Sequence, residues 1–492
     1  MIEEKKFISK QNFEKIHNGI LNENFPWYYT PYSTSYKYPF FAHTLKPRDG
    51  QKNSLVYDFF IDIVDSFCQI HNIKYTEISR ACLNLVTYHS DRCTDFHVDH
   101  DFAHKVFLIY LTDGETLIKK DGKEISKKCE QGTVLCFDGI LQHAGTFPKE
   151  GERRIVCVVT IKVEEKKRSQ VEIFNYFNDI VKDVDFKNHC IGVYNHLKQM
   201  GCSNDLCNAG LFHSFYGTEF FDPKLEVNRL KLVDIIGYKA EQIVYDFCQL
   251  KDRDEFLLKN IHNNKDLFFI NLANLLDLNI EKYVPRYLKT YERFNYWSNV
   301  WKENNLPWDT KTHDINLENF LNTFNIKKGK VLEIGCGYGY DTKFLYELGF
   351  DVTGLDISKN AIDIAKKNNS QNVEFKCVDF FNYDTENKFD LIYDRACLHG
   401  DFEPIEEYFL KCLSLLKNGG HLCVITGCRS DNHKFVFEQS QTNFVTNMNI
   451  EDIKKHANKY FNNVKIDEIE FKQGQSYDDG IGYMITGIKK WK

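Results

Sequence analysis

The spacing of apolar residues divides the chain into three sections. In the first section, short apolar stretches typical of strands are separated by turns rich in Asp and Gly. In the second, from about 171 to 287, apolar residues recur at helical spacing with few strand signals. After residue 297 strands and helices alternate, which predicts a mostly parallel sheet covered on both faces. The strand-like stretches of the first section are 81–88, 106–111, 133–137 and 155–163.

Composition and charge narrow the class of protein. The 492 residues are 42% hydrophobic and 27% charged, which is typical of a globular chain with several domains. Sixteen scattered cysteines without paired CxxC spacing predict reduced thiols rather than disulfides or zinc ligands. The chain has 63 Lys and Arg against 70 Asp and Glu, a balance that argues against a nucleic-acid partner, and a small-molecule substrate is expected.

We find no apolar run long enough to span a bilayer, and the first residues lack the apolar core of a secretory signal. These features predict a cytoplasmic protein without a membrane partner. The oligomeric state stays open.

A candidate metal site lies in the first section. His97 and Asp99 are two positions apart, so one extended strand would present both on the same face, and His143 follows 46 residues after His97. Two histidines and one carboxylate are the facial triad that holds non-haem Fe(II) and leaves three positions for other ligands. Ten residues beyond His143, the guanidinium of Arg153 could bind the far carboxylate of a 2-oxo acid; Arg154 is the alternative.

This set of residues resembles the Fe(II)- and 2-oxoglutarate-dependent dioxygenases over about residues 1–163. The resemblance implies a double-stranded β-helix and hydroxylation or oxidative demethylation of a C–H bond. Tyr88 could add a hydroxyl to the carboxylate of the cosubstrate, although a core or surface tyrosine is an equal alternative. His89, His100 and His104 compete as ligands. The resemblance assigns the metal to His97, Asp99 and His143 and the 2-oxoglutarate to Arg153 or Arg154.

A second candidate site follows the first strand of the third section. In GKVLEIGCGYGYDTKFL a buried strand leads into three glycines, which allow a tight turn close to a ligand. Asp356 ends the next strand, where a carboxylate can accept hydrogen bonds from ribose hydroxyls. Glu333 lies inside the first strand, and Asp379 follows the third strand, where it suits an adenine amine. From about residue 327 onward the chain resembles the class I methyltransferases, which implies S-adenosylmethionine (SAM) as cofactor, held by Glu333, Gly335, Gly337, Gly339, Asp356 and Asp379.

A narrower resemblance involves the aromatic segment YWSNVWKENNLPWD, with Trp297, Trp301 and Trp308. It is similar to the thiopurine, thiol and halide methyltransferase branch, in which an aromatic segment folds over the cofactor. Aromatic rings attract a sulfonium cation, but a helix simply packing on the sheet is the alternative. The segment FDLIYDRACLHG supplies the candidate catalytic residues Asp394, Arg395 and His399, of which His399 is either a general base or structural.

The helical section contains His189 and, 24 residues later, His213. The spacing resembles HD-type metal-dependent domains. Ser214 stands where those domains need an Asp, and Asn274 or Asp277 would be the remaining candidate. Fewer carboxylates hold hard divalent ions less well, so a scaffold or substrate-binding role is favoured over a catalytic metal.

The sequence therefore predicts a fused enzyme of three domains: a jelly-roll oxygenase (1–165), an all-α HD-like domain (166–288) and a Rossmann-like methyltransferase (289–492). Hydroxylation followed by methylation of a small molecule is the simplest coupling. The alternatives are the same two activities on a protein or nucleic acid, or a methyltransferase with a vestigial oxygenase domain as scaffold.

Overall fold

A computed structural model describes residues 1–31, 37–120, 123–165, 168–302, 306, 309–369, 373–398, 405–426, 450–471 and 480–490. The chain forms two compact units, Met1–Leu250 and Lys251–Lys492. The helical section predicted from the sequence is divided between them, because the described helices up to Gln249 belong to the first unit and those from Arg253 to the second. The three-domain division stays a prediction.

The first unit contains two antiparallel sheets. Its strands are β1 (Ile2–Glu4), β2 (Tyr28–Thr30), β3 (Phe40–Lys46), β4 (Glu77–Thr87), β5 (His104–Tyr110), β6 (Gly114–Lys120), β7 (Lys123–Cys129), β8 (Val134–Asp138), β9 (His143–Gly145) and β10 (Arg153–Lys162). The larger sheet has the order β1-β8-β5-β10-β4-β3-β2, and the smaller has the order β7-β6-β9. All pairings in both sheets are antiparallel.

The larger sheet is buried on both faces. Along β10, Ile155 and Cys157 belong to one apolar cluster, whereas Val156 and Val158 belong to another. The first cluster includes helices α1 (Lys10–Ile20) and α2 (Tyr57–Ile70), and the second includes Ile118 of the smaller sheet. Since successive side chains point to opposite faces, one strand contributes to both cores. This explains the near-continuous apolar runs in the sequence.

The described residues of the first unit form five further helices. A Ser169–Glu172 capping box begins the first of them. The apolar run at 229–250 is interrupted at Gly237, whose φ of 88° ends one helix and begins the next. The helices are α3 (Gln170–Ile180), α4 (Val184–Gln199), α5 (Asn204–Leu211), α6 (Arg229–Ile236) and α7 (Tyr238–Gln249). Among the described helices, none is long and apolar enough to cross a membrane.

The second unit is a doubly wound α/β fold. Its elements are α8 (Arg253–Lys259), α9 (Lys265–Asp277), α10 (Val284–Val300), α11 (Ile315–Thr323), β11 (Lys330–Ile334), α12 (Tyr340–Glu347), β12 (Asp351–Asp356), α13 (Lys359–Asn368), β13 (Glu374–Cys377), β14 (Phe389–Arg395), α14 (Ile405–Leu415), β15 (Leu416–Thr426), α15 (Ile450–Tyr460), β16 (Phe461–Phe471) and β17 (Gly480–Lys489). The sheet order is β13-β12-β11-β14-β15-β17-β16, parallel except for β17. The predicted parallel sheet is confirmed, and the carboxyl ends of β11, β12 and β14 meet at one edge.

One buried ion pair ties two helices of the first unit together. Glu241 of α7 is fully buried and accepts hydrogen bonds from Arg229 Nε (2.6 Å) and Nη2 (2.8 Å). Tyr216 donates a third from its hydroxyl (2.6 Å), and the guanidinium lies 3.8 Å from the ring centre of Tyr245. Because both charges are desolvated, each depends on the other.

We expect Glu241→Leu to lower the free energy of unfolding by about 3–5 kcal/mol, because it leaves the Arg229 cation buried and unpaired. The double variant Arg229→Met with Glu241→Leu removes both charges and should cost less than the single variant. Urea unfolding followed by circular dichroism measures both. Equal losses in the two variants would contradict this account.

Candidate active sites

The structure brings His97, Asp99 and His143 together in the first unit. One ligand atom from each residue lies within 4.8 Å of the others. His97 is not on a continuous strand, as the sequence suggested; it lies in an irregular segment held to β9 by an isolated bridge. The two histidines exchange backbone hydrogen bonds of 3.1 and 3.0 Å. This bridge sets the spacing of the two histidines.

Backbone carbonyls determine the tautomers of both histidines. His97 Nδ1 lies 3.1 Å from the carbonyl oxygen of Asp95, and His143 Nδ1 lies 3.2 Å from that of Leu141. Because a carbonyl only accepts, each Nδ1 carries a hydrogen, which leaves Nε2 of each ring as the nitrogen that a metal would bind. His143 Nε2 faces Asp99 Oδ2 at 3.4 Å, and this oxygen accepts no hydrogen bond from the described residues. A metal cation fits between such atoms.

The local electrostatics also favour metal binding. Burial acts to raise the pKa of Asp99, but His143, His97 and Arg80 outweigh it and hold that pKa well below its ordinary value. Burial lowers the pKa of His97. At neutral pH the site therefore offers a carboxylate and a neutral imidazole, which are the forms that coordinate metals. The guanidinium of Arg80, 3.9 Å from Asp99 Oδ1, is a neighbour that the sequence did not point to.

Strand alternation decides between the two arginines. Arg153 is exposed, whereas Arg154, the alternative, is only 6% exposed. Nη2 of Arg154 donates to Thr116 Oγ1 (3.0 Å), which is also 2.6 Å from the hydroxyl of Tyr110. Arg153 therefore does not face the interior, contrary to the first assignment. Tyr88 is 52% exposed and lies on the surface as well.

Arg154 is a buried cation without a partner anion among the described residues. Its Nε makes no hydrogen bond, and it forms no salt bridge with an acidic side chain of the described residues. A Cβ atom placed on Gly145 would lie 2.8 Å from Arg154 Nη1, so the guanidinium occupies the space that this glycine leaves. Gly145 and His143 are two positions apart on β9 and therefore face the same way. Because burying an unpaired charge is costly, we expect an anionic ligand to bind on that face.

The competing histidines have other environments. His89 Nδ1 accepts from the backbone N–H of Asp91 (3.0 Å), and His100 Nε2 lies 2.8 Å from Thr160 Oγ1. Burial lowers the pKa of His100 to about 4. His104 is buried, with Nδ1 2.7 Å from the carbonyl oxygen of Phe102. None of the three belongs to the His97–Asp99–His143 cluster among the described residues.

In the second unit, the predicted glycine turn lies at the carboxyl edge of the sheet. The φ values are 66° at Gly335, 49° at Gly337 and 76° at Gly339. The backbone would be strained there if these residues carried a side chain. The N–H of Gly337 donates to Asp356 Oδ2 (3.2 Å), which joins the turn to the end of β12. Burial raises the pKa of Asp356 to about 6. Glu333 is buried and accepts a hydrogen bond from the hydroxyl of Thr342.

Trp301 packs directly on this turn. It is 6% exposed, its ring centre lies 5.0 Å from that of Tyr338, and a Cβ atom on Gly337 would be 3.4 Å from its ring. Trp297 belongs to the same apolar cluster. The aromatic segment thus lies over the glycine turn, which both earlier alternatives allow. Trp308 and His399 lie outside the described residues.

Two predicted residues, Asp394 and Arg395, have protein partners already. Asp394 is fully buried; Tyr408 donates to Oδ2 (2.6 Å), the N–H of Cys397 donates to Oδ1 (2.8 Å), and burial raises the pKa of Asp394 to about 7. Arg395 Nε donates to Asp314 Oδ2 (2.7 Å). These contacts hold Asp394 and Arg395 in place at the carboxyl end of β14, and their catalytic assignment stays a prediction.

Asp379 also has a protein partner, the guanidinium of Arg293. Its Oδ2 accepts from Arg293 Nε (2.9 Å) and Nη2 (2.7 Å). The predicted contact with an adenine amine therefore competes with Arg293 of α10, a residue whose role no sequence pattern marked. Asp379 also accepts from the N–H of Phe381 (3.0 Å), which begins the short 3-10 turn Phe380–Asn382.

The structure also brings the two histidines of the helical section together. The ring centres of His189 and His213 are 5.1 Å apart, and His213 is fully buried. Asn274 and Asp277 belong to the other compact unit. The HD-like assignment stays a prediction.

Comparison with known proteins identifies the domain in the second unit. Residues 326–481 match a family model described as a methyltransferase domain, and residues 180–253 match a domain of unknown function. The chain is 32% identical over 136 residues to probable thiol methyltransferase 2 of Arabidopsis thaliana, covering 26% of this chain and 60% of that protein. It is 35% identical over 101 residues to a ubiquinone biosynthesis O-methyltransferase of Coxiella burnetii, covering 19% and 42%.

Solved structures show more distant similarity. The N-methyltransferase NodS from Bradyrhizobium japonicum is 20% identical, with a TM-score of 0.29, over 36% of this chain and 94% of that one. The chain spans less than two thirds of the length of the two curated relatives above. The family match and the sheet order confirm a class I SAM-dependent methyltransferase domain in the C-terminal part of the chain.

We expect His143→Ala to weaken Mn(II) binding by more than about 100-fold, because it removes one of three ligands from the cluster in the first unit. His89→Ala, which alters a nearby histidine outside the cluster, should leave the affinity unchanged. Titration calorimetry with Mn(II) alone measures both variants. Equal effects of the two substitutions would exclude this ligand set.

Proposed function

We propose that the chain is a bifunctional enzyme that joins an Fe(II)- and 2-oxoglutarate-dependent oxygenase site in the first unit to SAM-dependent methyl transfer in the second. The observation that carries the oxygenase half is the buried, uncompensated Arg154 on the same face as a His–Asp–His cluster. A structural role for the cluster alone would leave that cation unexplained, since burying an unpaired charge is costly. The two facing antiparallel sheets are consistent with a double-stranded β-helix.

In this proposal His97, Asp99 and His143 hold the metal. Their backbone-bonded Nδ1 atoms keep the rings in the tautomer that presents Nε2, so the ligands are ordered before the metal arrives. With Fe(II), 2-oxoglutarate and dioxygen bound, such a site would supply oxidation of an unactivated C–H bond by one oxygen atom of dioxygen, while the other oxygen atom enters succinate as the oxo acid loses CO2. The protein orients the reactants and excludes side reactions.

Arg154 binds the far carboxylate of the oxo acid. Two positions of an extended strand separate His143 from Gly145, a distance of about 7 Å. The guanidinium lies against Gly145, so the cluster and the cation are spaced to hold the two ends of one small diacid. Thr116 and Tyr110 hold the guanidinium in place. A bidentate pair between Arg154 and a carboxylate would compensate the buried charge.

The methyltransferase half uses the glycine turn and the carboxylate of Asp356. The turn lets the backbone come close to the cofactor, and Asp356 accepts hydrogen bonds from its ribose. Bound SAM supplies an electrophilic methyl group on a sulfonium, which the aromatic face of Trp301 beside Gly337 would stabilise. The similarity to a thiol methyltransferase and the aromatic segment favour the thiopurine, thiol and halide branch.

A small molecule that is oxidised at the first site and methylated at the second is the simplest common substrate. Joining both sites in one chain raises the concentration of the oxidised product near the methyltransferase. Wild-type protein supplied with this substrate, 2-oxoglutarate and SAM should then accumulate the methylated product without releasing the oxidised intermediate.

We expect Arg154→Met to raise the dissociation constant for 2-oxoglutarate by about 10–100-fold, because charge-assisted hydrogen bonds to its carboxylate are lost. Arg153→Met, which changes the exposed neighbour on the same strand, is the matched control and should bind normally. Calorimetry with Mn(II)-loaded protein gives the affinity, and succinate release with Fe(II) gives the activity. Normal binding by Arg154→Met, or an equal loss in Arg153→Met, would refute the oxygenase proposal.

The pKa of Asp356 predicts how SAM binding depends on pH. Burial raises this pKa to about 6, so the carboxylate that accepts the ribose hydrogen bonds is present above pH 6 and is lost as the pH falls. We expect SAM affinity to be constant above pH 7 and to fall about tenfold by pH 5. Asp356→Asn should bind weakly at every pH.

Asp351→Asn is the control for this experiment, because Asp351 is the exposed first residue of the same strand. It should keep the wild-type affinity and pH profile. If Asp356→Asn retained the pH dependence of the wild type, another group would be responsible.

A further inference from the structure

A second cavity opens beside the metal-site carboxylate in the first unit. Its volume is about 670 Å³, and Asp99 forms part of its wall. Arg154 does not line it, so this cavity is distinct from the space into which the guanidinium points. Cavities of this size hold small-molecule ligands. A molecule bound here would lie next to Asp99 without occupying the position proposed for 2-oxoglutarate.

Helix α7 contributes one side of this cavity. Tyr238 and Gln242, which are one helical turn apart, both line it. Both residues lie within the segment 180–253, which matches the domain of unknown function. The helix is packed into the β-sheet core, since Tyr238 is 1% exposed and belongs to the same apolar cluster as Val106 and Val158.

Two hydrogen-bond arrangements hold the residues of α7 in position. The hydroxyl of Tyr238 donates to the backbone carbonyl of His100 (2.9 Å), the residue that follows Asp99. Gln242 Nε2 donates to Asp246 (2.8 Å), and its Oε1 accepts from Arg229 (3.3 Å). Tyr238 thus anchors the segment that carries the metal-site carboxylate, and Gln242 presents an oriented amide at the wall.

The cavity wall carries charges of both signs. Lys46 and Arg48 contribute cations, while Asp49, Glu77, Asp99 and Asp101 contribute carboxylates. Ser79 also lines the cavity; its hydroxyl is buried and has no hydrogen-bond partner among the described residues. A hydrocarbon ligand would leave these groups unpaired, and a singly charged ligand would match only one set. The wall is suited to a ligand that carries both an ammonium and a carboxylate group.

We propose that α7 forms a wall of the oxygenase's substrate cavity and that this cavity binds a small zwitterion of the amino-acid class. This inference rests on the proposed oxygenase function. Within it, Gln242 is a specificity-determining residue and Tyr238 is a positioning residue for Asp99. The helical segment then serves the oxygenase site rather than a separate metal centre.

The test uses the full chain loaded with substoichiometric Mn(II) and saturating 2-oxoglutarate. Bound Mn(II) broadens the proton NMR signals of a ligand that lies close to it. The probes are free α-amino acids, with hexanoate and hexylamine as singly charged comparisons. We expect at least one amino acid to be broadened in the wild type and neither comparison compound to be broadened.

Gln242→Leu should abolish this broadening. Gln249→Leu, which makes the same change at an exposed position two turns along the same helix, should leave it intact. Glu77→Gln provides a second test at an exposed wall residue and should weaken the broadening. Mn(II) affinity, measured on each of these variants, should be unchanged. Tyr238→Phe should instead lower that affinity several-fold, because the segment carrying Asp99 loses its anchor.

The outcomes distinguish a failure of the proposed substrate class from a failure of the proposed oxygenase function. No broadened amino acid in a wild type that binds Mn(II) and 2-oxoglutarate overturns the substrate class, while the oxygenase proposal stands. Undiminished broadening in both Gln242→Leu and Glu77→Gln overturns the assigned wall. A wild type that binds neither Mn(II) nor 2-oxoglutarate overturns the proposed function and this inference with it.

Discussion

The alternation of side chains along a β-strand is the constraint on which most of this structure depends. In both units a central sheet is buried on its two faces, so neighbouring residues of one strand enter different cores. Val331 and Leu332 do so in the second unit, as Ile155 and Val156 do in the first. The same alternation turns Arg153 toward solvent and Arg154 inward, so one step along a strand separates a surface charge from a candidate ligand-binding residue.

Buried charge is handled differently in different parts of the chain. Glu241 with Arg229, and Arg395 with Asp314, are compensated within the protein, and each pair shapes its surroundings. Arg154 has no such partner among the described residues. Because desolvated charges are costly, an uncompensated one is better evidence for a ligand than a satisfied ion pair is. This contrast brings Arg154 into the candidate site, while the catalytic roles of Asp394 and Arg395 stay predictions.

The helical section illustrates how a fold can redirect an interpretation. Its two histidines are adjacent in space, as the HD-like spacing suggested, but the further candidates Asn274 and Asp277 belong to the other unit. What the segment supplies instead is Tyr238, whose hydroxyl holds the backbone next to Asp99. A segment without a recognised site of its own can thus complete the site of its neighbour. Glycine has a comparable effect at Gly145, where the missing side chain provides the space for a guanidinium.

The sequence by itself determined the strand and helix order of the second unit, the glycine turn, Asp356 and the three residues of the His–Asp–His cluster. These features depend on local spacing and on residue types whose chemistry is specific. Only the tertiary structure decided which arginine faces inward, that the His97–His143 bridge replaces a shared strand, and that Arg293 competes for Asp379. It also brought Tyr238 to the segment of Asp99, 139 positions earlier. The physical reason is that register, burial and the pairing of distant charges arise from contacts between elements, which no local pattern of residues encodes.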